Sequence, residues 1–416
     1  MISTLNLNIV FYTFTFLAIY VQVFFLVTFI ENRKNIVIRK ENIKLTKYPG
    51  VTIIVPCWNE EKTIYKTVRS VLDLNYPKNK VNIFLVDDGS TDNTWKMLQR
   101  FTKYKNIKVF HKENGGKHTA LNLGLEHTET DFVGCLDADS FADPESLVRI
   151  MSYFEKDPSS MAVSPSIIVH NPKSIVQHAQ KAEYNMSVFI KKMLGFLGAI
   201  HVTPGPLTIF RKKVFNDLGP YRSAHNTEDM EIAYRMQKNH YKIEQCNDAF
   251  IYTNTPNTIK KLYKQRVRWI YGFINKTIDY RSILFKRKYG NFSIFTVPAG
   301  IISIISVCYL FSKLIYSMFH FISLKILQFQ TVGFHFSTKL HLFDLFFINT
   351  QVLLFVTLIL YASVIISIIL GHRMVNGKWG ISMSMFYYFT LFSIIAPVWL
   401  VKALYATAFS RKPNWR

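Results

Sequence analysis

The residues of this chain best suited to chemistry are carboxylates that end apolar runs. In Phe132-Val-Gly-Cys-Leu-Asp137-Ala-Asp139-Ser140, five mostly apolar residues lead into two acids one residue apart. Read as a buried strand, the run puts Asp137 and Asp139 at its carboxyl end, where open α/β sheets bind ligands. Carboxylates that close resist ionising together unless a cation sits between them. Oxygen-only ligands suit Mg²⁺ or Mn²⁺, usually shared with a phosphate. A second acidic pair, Asp87-Asp88, also closes a strand-like run and leads into Gly89-Ser90. Asp, Gly and Ser equally suit a plain turn and helix cap. Two acidic loops after two strands of one parallel sheet share an edge, so one can hydrogen-bond a base while the other holds a metal.

Three further stretches carry usable groups. Gly115-Gly-Lys117 opens a helix-like segment and offers backbone N–H groups and a cation to phosphate, or forms a flexible loop. The remaining P-loop positions are missing, which argues against a Walker-type ATPase. In Thr227-Glu228-Asp229, the acids stand before the helical stretch 230–239. There a carboxylate acts either as a cap or as a general base within reach of its proton. Gln265-Arg266-Val-Arg268-Trp269 lies in a basic and aromatic helical stretch, 260–274. It reads as the anchor of an interfacial helix. Alternatively, arginine neutralises a leaving diphosphate while indole stacks on a sugar.

The elements that must position these groups alternate between strand and helix. Residues 51–55 are β-branched and end at Pro56, and Asn59 then caps a helix with Glu60 and Glu61 in its first turn. Strand-like runs follow at 81–86, 107–110 and 132–136, with helices between them. This pattern predicts an α/β fold, a mainly parallel sheet flanked by helices. Residues 171–290 are less regular, and 203–210 is turn-rich and then strand-like.

Charge and hydropathy set the surroundings. The 416 residues carry 50 Lys and Arg against 27 Asp and Glu, a net charge of +23. On a soluble protein such an excess suggests nucleic acid. Here residues 1–30 carry no charge, and residues 291–416 hold nine basic groups and one acid in a Phe, Ile and Leu background. Apolar blocks with basic flanks read as membrane spans, so the expected partner is a lipid bilayer and no nucleic acid. The candidate spans are 9–30, 294–324, 345–370 and 381–400. The first lacks a basic start and a cleavage site, so it is expected to stay as a span. The expected organisation is a transmembrane helix at 1–30, a cytoplasmic domain at 31–290 and a bundle of three or four membrane helices at 291–416. With three closing spans the basic tail 411–416 falls outside, against the positive-inside rule. A hairpin broken at Pro397 within 381–409 restores it inside, which is the expectation preferred. Cys57, Cys135, Cys246 and Cys308 are scattered, and packed reduced thiols are expected.

Taken in order, Asp87-Asp88-Gly-Ser, Gly-Gly-Lys117…Ala120-Leu-Asn122, Asp137-Ala-Asp139, Thr227-Glu-Asp229 and Gln265-Arg-Val-Arg268-Trp269 resemble the inverting family 2 glycosyltransferases. The likeness is greatest to their processive membrane branch, the cellulose, hyaluronan and poly-N-acetylglucosamine synthases, over residues 50–275. That resemblance implies a GT-A fold at the cytoplasmic face of the plasma membrane, between transmembrane and interfacial helices. It implies a metal-dependent hexosyltransferase that lengthens a β-linked polysaccharide from a UDP-sugar, with UDP-N-acetylglucosamine expected. The same membrane helices would carry the chain across, with room for small membrane or cell-envelope partner subunits. By the resemblance, the Pro56-Cys-Trp58 loop and Asp88 hold the uridine with Asp87 beside it, and Lys117 lies near the nucleotide. Asp137 and Asp139 bind the donor and its cation, Asp139 the more direct ligand. Asp229 is the base, and Glu228, Gln265, Arg266, Arg268 and Trp269 belong to the acceptor and diphosphate site. No cyclic-dinucleotide-binding domain is expected after the last apolar block, which favours an amino-sugar polymer over cellulose. Two rivals remain: a non-processive enzyme adding one sugar to a lipid, and a transporter with a nucleotide-binding regulatory domain.

Overall fold

The structure, a computed structural model, describes residues 2–36, 43–333 and 352–411. It divides into two compact units, Met1–Phe24 with Ala299–Ile366, and Phe25–Pro298 with Ser367–Arg416. The second unit contains the sheet. Its strands are β1 (Val51–Cys57), β2 (Val81–Asp88), β3 (Ile107–Lys112), β4 (Phe132–Cys135), β5 (Ser140–Ala142), β6 (Ser160–Val169), β7 (Ile209–Arg211) and β8 (Lys242–Thr253). They run in the order β3-β2-β1-β4-β7-β6-β8-β5. β1, β2, β3 and β4 pair in parallel, β7 is antiparallel to β4 and β6, and β6 and β8 are parallel again. β1 and β2 are buried along nearly their whole length, as strands covered on both faces must be.

The chain begins with α1 (Ile2–Asn32). Between the strands come α2 (Ile64–Leu72), α3 (Thr94–Gln99), α4 (Lys117–Glu126) and α5 (Ser146–Lys156). Then follow α6 (Ile175–Phe196), α7 (Lys213–Leu218), α8 (Glu228–Lys238) and α9 (Ile259–Asp279), and finally α10 (Val297–Val332), α11 (Val352–Asn376) and α12 (Met383–Ala408). This is the α/β sheet flanked by helices that the alternation predicts. All four cysteines are free thiols, three of them buried.

Two local expectations change. β1 continues through Pro56 to Cys57, because β4 pairs with β1 only as far as Ile54. Beyond that point Pro56 has one neighbouring strand, and its missing N–H costs no ladder bond on the open side. Asn59 is no helix cap. It sits at φ +55, and its side-chain oxygen accepts from the Thr91 N–H at 2.8 Å, so it ties the β1 loop to the β2 loop. The helix then starts only at Ile64.

Among the described residues, four helices are long and apolar enough to cross a membrane: Ile9–Asn35, Phe292–Thr331, Phe355–Asn376 and Met383–Ala408. The start of the expected span at 345–370 and the tail residues 412–416 lie outside the described residues. The hairpin broken at Pro397 is not found, since α12 runs unbroken through that proline. A proline inside a helix removes a single backbone bond, and a long apolar helix absorbs that loss. α12 packs on α6 and α9. The end of α11 also meets α6, and it does so backbone to backbone. A methyl group at Gly371 would come within 1.9 Å of the Asn185 carbonyl oxygen.

Candidate active site

The loops at the carboxyl ends of β1, β2 and β4 gather the acidic motifs. Asp88 ends β2, and both of its oxygens are engaged. Oδ1 accepts from Lys112 Nζ at 2.7 Å and from the Gly115 N–H at 3.1 Å, and Oδ2 accepts from the Gly116 N–H at 2.9 Å. The backbone donors expected to meet phosphate are therefore spent on Asp88, which fixes the turn before α4. Gly89 has to be glycine here, with φ +70 and a would-be Cβ 2.7 Å from the Asn114 nitrogen. Asp87 is fully buried. Its Oδ2 lies 2.7 Å from His111 Nδ1, whose ring rests against Trp95 with centroids 4.8 Å apart. Its Oδ1 is buried and accepts no hydrogen bond among the described residues. Pro56 lies within β1, and Trp58 follows it, partly exposed.

Lys117 opens α4 at the centre of the site. Its ammonium lies 2.7 Å from Asp137 Oδ1 and 3.0 Å from Glu228 Oε1. Burial works against the charge, yet Asp137 and Glu228 outweigh it and hold the ammonium well above its ordinary value. Burial likewise acts to raise the Glu228 carboxyl, but Lys117, a backbone N–H and Arg268 keep it below the usual range. Asp229, next along the first turn of α8, goes the other way. Burial first and then Glu228 push its carboxyl up to about 6, against the pull of Lys117 and Arg268. Adjacent carboxyls driven apart in this way are a common arrangement for acid–base work. The backbone carbonyl of Asp229 accepts from the Thr203 N–H at 3.2 Å and hydroxyl at 2.8 Å, which pins the turn.

Asp137 and Asp139 stand between β4 and β5. Burial, Asp137 and Glu60 push the Asp139 carboxyl up to about 7. Among the described residues no three His, Cys, Asp or Glu side chains gather into a ready-made metal cage. The pair nevertheless fits a divalent cation in its chemistry. It offers hard oxygen donors whose mutual repulsion such an ion would relieve, with phosphate oxygens completing the shell. Gly205 closes over Asp137 and Lys117. A Cβ there would lie 2.6 Å from Asp137 Oδ1 and 2.8 Å from Lys117 Nζ. Gly205→Ala is expected to displace both groups and lower activity by about 10²-fold, the usual cost of a misplacement near 1 Å. Thermal melting should change little, and the comparison of initial rates with melting curves checks it.

α9 supplies the remaining motif. Arg268 Nη1 donates to the Asn226 carbonyl at 3.0 Å, and its charge reaches Glu228 and Asp229. Arg266 is buried elsewhere. It pairs with Glu183 of α6 and stacks 4.2 Å from the Trp269 ring centroid. Gln265 Oε1 is buried and without a hydrogen-bond partner among the described residues. The structure thus brings Lys117, Asp137, Glu228, Asp229 and Arg268 together, and sets Arg266 apart from them.

Sequence reasoning missed α6. Its signal was present in the capping box formed by Ser174 and Gln177. Tyr184 and Lys191 of this helix sit seven residues apart, on one face. The Tyr184 hydroxyl feels Asp137 and Asp139, and Lys191 feels Asp229. Burial pushes the Lys191 ammonium down to about 8 and, with Lys191, the His201 ring down to about 4. No spacing in the sequence marks either residue.

Residues 52–219 match glycosyl transferase family 2. The poly-beta-1,6-N-acetyl-D-glucosamine synthase of Staphylococcus epidermidis is 34% identical over 225 residues, 54% of this chain and 54% of that protein. The enzyme of the same name from Staphylococcus aureus (strain COL) is 33% identical over 236 residues, 56% of this chain and 57% of its own length. The chain thus spans about half the length of the curated relatives it matches. Among solved structures, the mannosyltransferase PcManGT from Pyrobaculum calidifontis, in complex with GDP-Man and Mn²⁺, superposes with a TM-score of 0.60 at 16% identity. That superposition covers 96% of this chain and 99% of the other. At that identity the likeness is one of fold. Motifs in the expected order and the match over residues 52–219 make the domain that carries the acidic loops similar to glycosyl transferase family 2.

Proposed function

We propose that the chain is a membrane-bound inverting glycosyltransferase that lengthens a β-linked N-acetylglucosamine polymer from UDP-N-acetylglucosamine. The observation that carries this reading is Lys117, held between Asp137 and Glu228 beside a carboxyl at Asp229 raised to about 6. The names of the relatives support the sugar. In this reading residues 31–290 form a catalytic domain at the cytoplasmic face of the plasma membrane, and the four apolar helices cross the bilayer. The free Oδ1 of Asp87, with Pro56 and Trp58, receives the uracil, while Asp88 holds the 112–116 turn in shape. Lys117 turns from Asp137 to the donor diphosphate. Asp137 and Asp139 hold Mg²⁺ or Mn²⁺, Asp139 the more direct ligand; that ion supplies charge neutralisation to the diphosphate when bound.

Asp229 removes the proton of the acceptor hydroxyl as the oxygen attacks the anomeric carbon. The bond to UDP breaks in the same displacement, so an α-linked donor gives a β-linked product. Glu228 keeps Lys117 in place, and Arg268 adds positive charge on the leaving-group side. Gln265 and Trp269 receive the acceptor sugar, and Arg266 braces Trp269 through its stack and its pair with Glu183. A base must be ionised to act, so kcat/KM should be lost as pH falls through about 6 and level off above it. A pH–rate profile measures this, and a flat profile down to about pH 4, the ordinary carboxylate range, would remove Asp229 from the role.

The deciding experiment supplies purified protein in detergent with radiolabelled UDP-sugars and Mg²⁺ or Mn²⁺. Polymer from UDP-N-acetylglucosamine is the expected product. A single added sugar would replace processive synthesis by transfer to a lipid acceptor. No transfer from any UDP-sugar would overturn the proposal as a whole.

A further inference from the structure

A cavity of about 350 Å³ lies away from the acidic loops, within the second compact unit. The end of β6, one side of α6 and the last turn of α11 enclose it, and its polar lining comes from His170, Asn171, Lys181, Asn185, Tyr252 and Asn376. Its volume is at the lower end of the range of small-molecule sites, roughly 300–1,000 Å³. No lining residue is acidic. Lys181 forms no ion pair among the described residues, and a second ammonium, Lys66 Nζ, stands 3.0 Å from His170 Nε2. Asn376 Nδ2 and Asn185 Nδ2 lie 3.0 and 3.4 Å from the same atom, His372 Nδ1. The cavity therefore presents ammonium, amide and hydroxyl donors without a carboxylate. That set suits the acceptor-only oxygens of a phosphate and repels a metal ion.

Its position says which phosphate. α11 is one of the four membrane-length helices and ends at Asn376, on the cavity wall. The chain then turns through Gly377-Lys378-Trp379. Trp379 is 61% exposed, Ile381 is 83% exposed, and the Arg373 guanidinium lies 4.2 Å over the Trp379 ring. An exposed indole with cations at the end of an apolar helix marks headgroup depth. Basic pockets at the ends of membrane helices take anionic lipid headgroups.

We infer that this cavity binds the phosphate-bearing headgroup of an anionic membrane lipid. The inference depends on α11 crossing the bilayer, and not on which sugar the acidic site transfers. Native mass spectrometry of the delipidated full chain in detergent tests it, with phosphatidylglycerol, phosphatidylcholine and inorganic phosphate as probes. Phosphatidylglycerol should bind in preference to phosphatidylcholine and should not be displaced by inorganic phosphate. Lys181→Gln should weaken the lipid by about fivefold, the effect of one lysine near a headgroup, and Lys181→Arg should retain it. Asn171→Asp, at an exposed rim position, puts a carboxylate into the cavity and should weaken binding even if the Lys181 variants fold poorly. Equal lipid retention by Lys181→Gln and Asn171→Asp would overturn the assignment. So would displacement of the lipid by inorganic phosphate, which would mark a site for free phosphate.

Discussion

Asp229→Asn is expected to lower glycosyl transfer by about 10²–10⁴-fold, the span that a general base contributes, while UDP-sugar binding stays near its original strength. The structure explains why the two should separate. The hydrogen bonds that hold the turn go from Thr203 to the backbone carbonyl of residue 229, and an amide side chain leaves them intact. The Met230 N–H, which donates to Asp229 Oδ1 at 2.8 Å, can keep an oxygen acceptor in Asn. The substitution also removes the repulsion from Glu228, so the folded protein should be no less stable. Single-turnover rates and calorimetric titration with UDP-sugar report the two quantities. An Asn variant turning over at the original rate would exclude Asp229 as the base and revive the rival transporter reading.

The second large effect belongs to Lys117→Met, for which a fall of about 10²–10³-fold is expected, typical of deleting one preorganised charge donor. It should also carry a signature that a loss of donor contact alone would not. Lys117 is among the groups that oppose the rise of the Asp229 carboxyl. Without it, burial and Glu228 act less opposed, and the residual activity should need a higher pH to ionise the base. The pH midpoint of kcat/KM should move upward in Lys117→Met and much less in Lys117→Arg, which keeps the charge. A rate loss with an unmoved midpoint would confine Lys117 to the diphosphate and break its link to the base.

The acidic loops were legible in the sequence because each sits where a buried strand runs out of apolar residues. Val51, Val81 and Phe132 begin runs that have to be interior, and polar residues at their carboxyl ends have to gather at one edge. Partnership within that edge was not legible. Gly115 and Gly116 read as phosphate donors, yet their N–H groups belong to Asp88, twenty-seven and twenty-eight residues earlier. Arg266 and Arg268 look alike in the motif. Being two residues apart on a helix they diverge, one towards Glu183 and the other towards Asn226. α6 went unread because its residues are mixed in polarity, and Lys191 there gains meaning only from Asp229 across the fold. Asn suits a helix cap, which is what the sequence predicts at residue 59, but it equally suits the left-handed turn that Asn59 adopts.

The contact of Gly371 with Asn185 has a mechanical consequence. With no side chain between the two backbones, a methyl at 371 would meet the Asn185 oxygen at 1.9 Å, so α6 and the end of α11 slide or tilt only as a coupled pair. α6 is a stiff lever. Two residues before Asn185 is Glu183, which pairs with Arg266, and six residues after it is Lys191, whose ammonium feels the Asp229 charge. A shift of the last turns of α11 would therefore be felt along α6. Gly371 thus joins two helices through backbone alone, with no side chain to cushion one from the other.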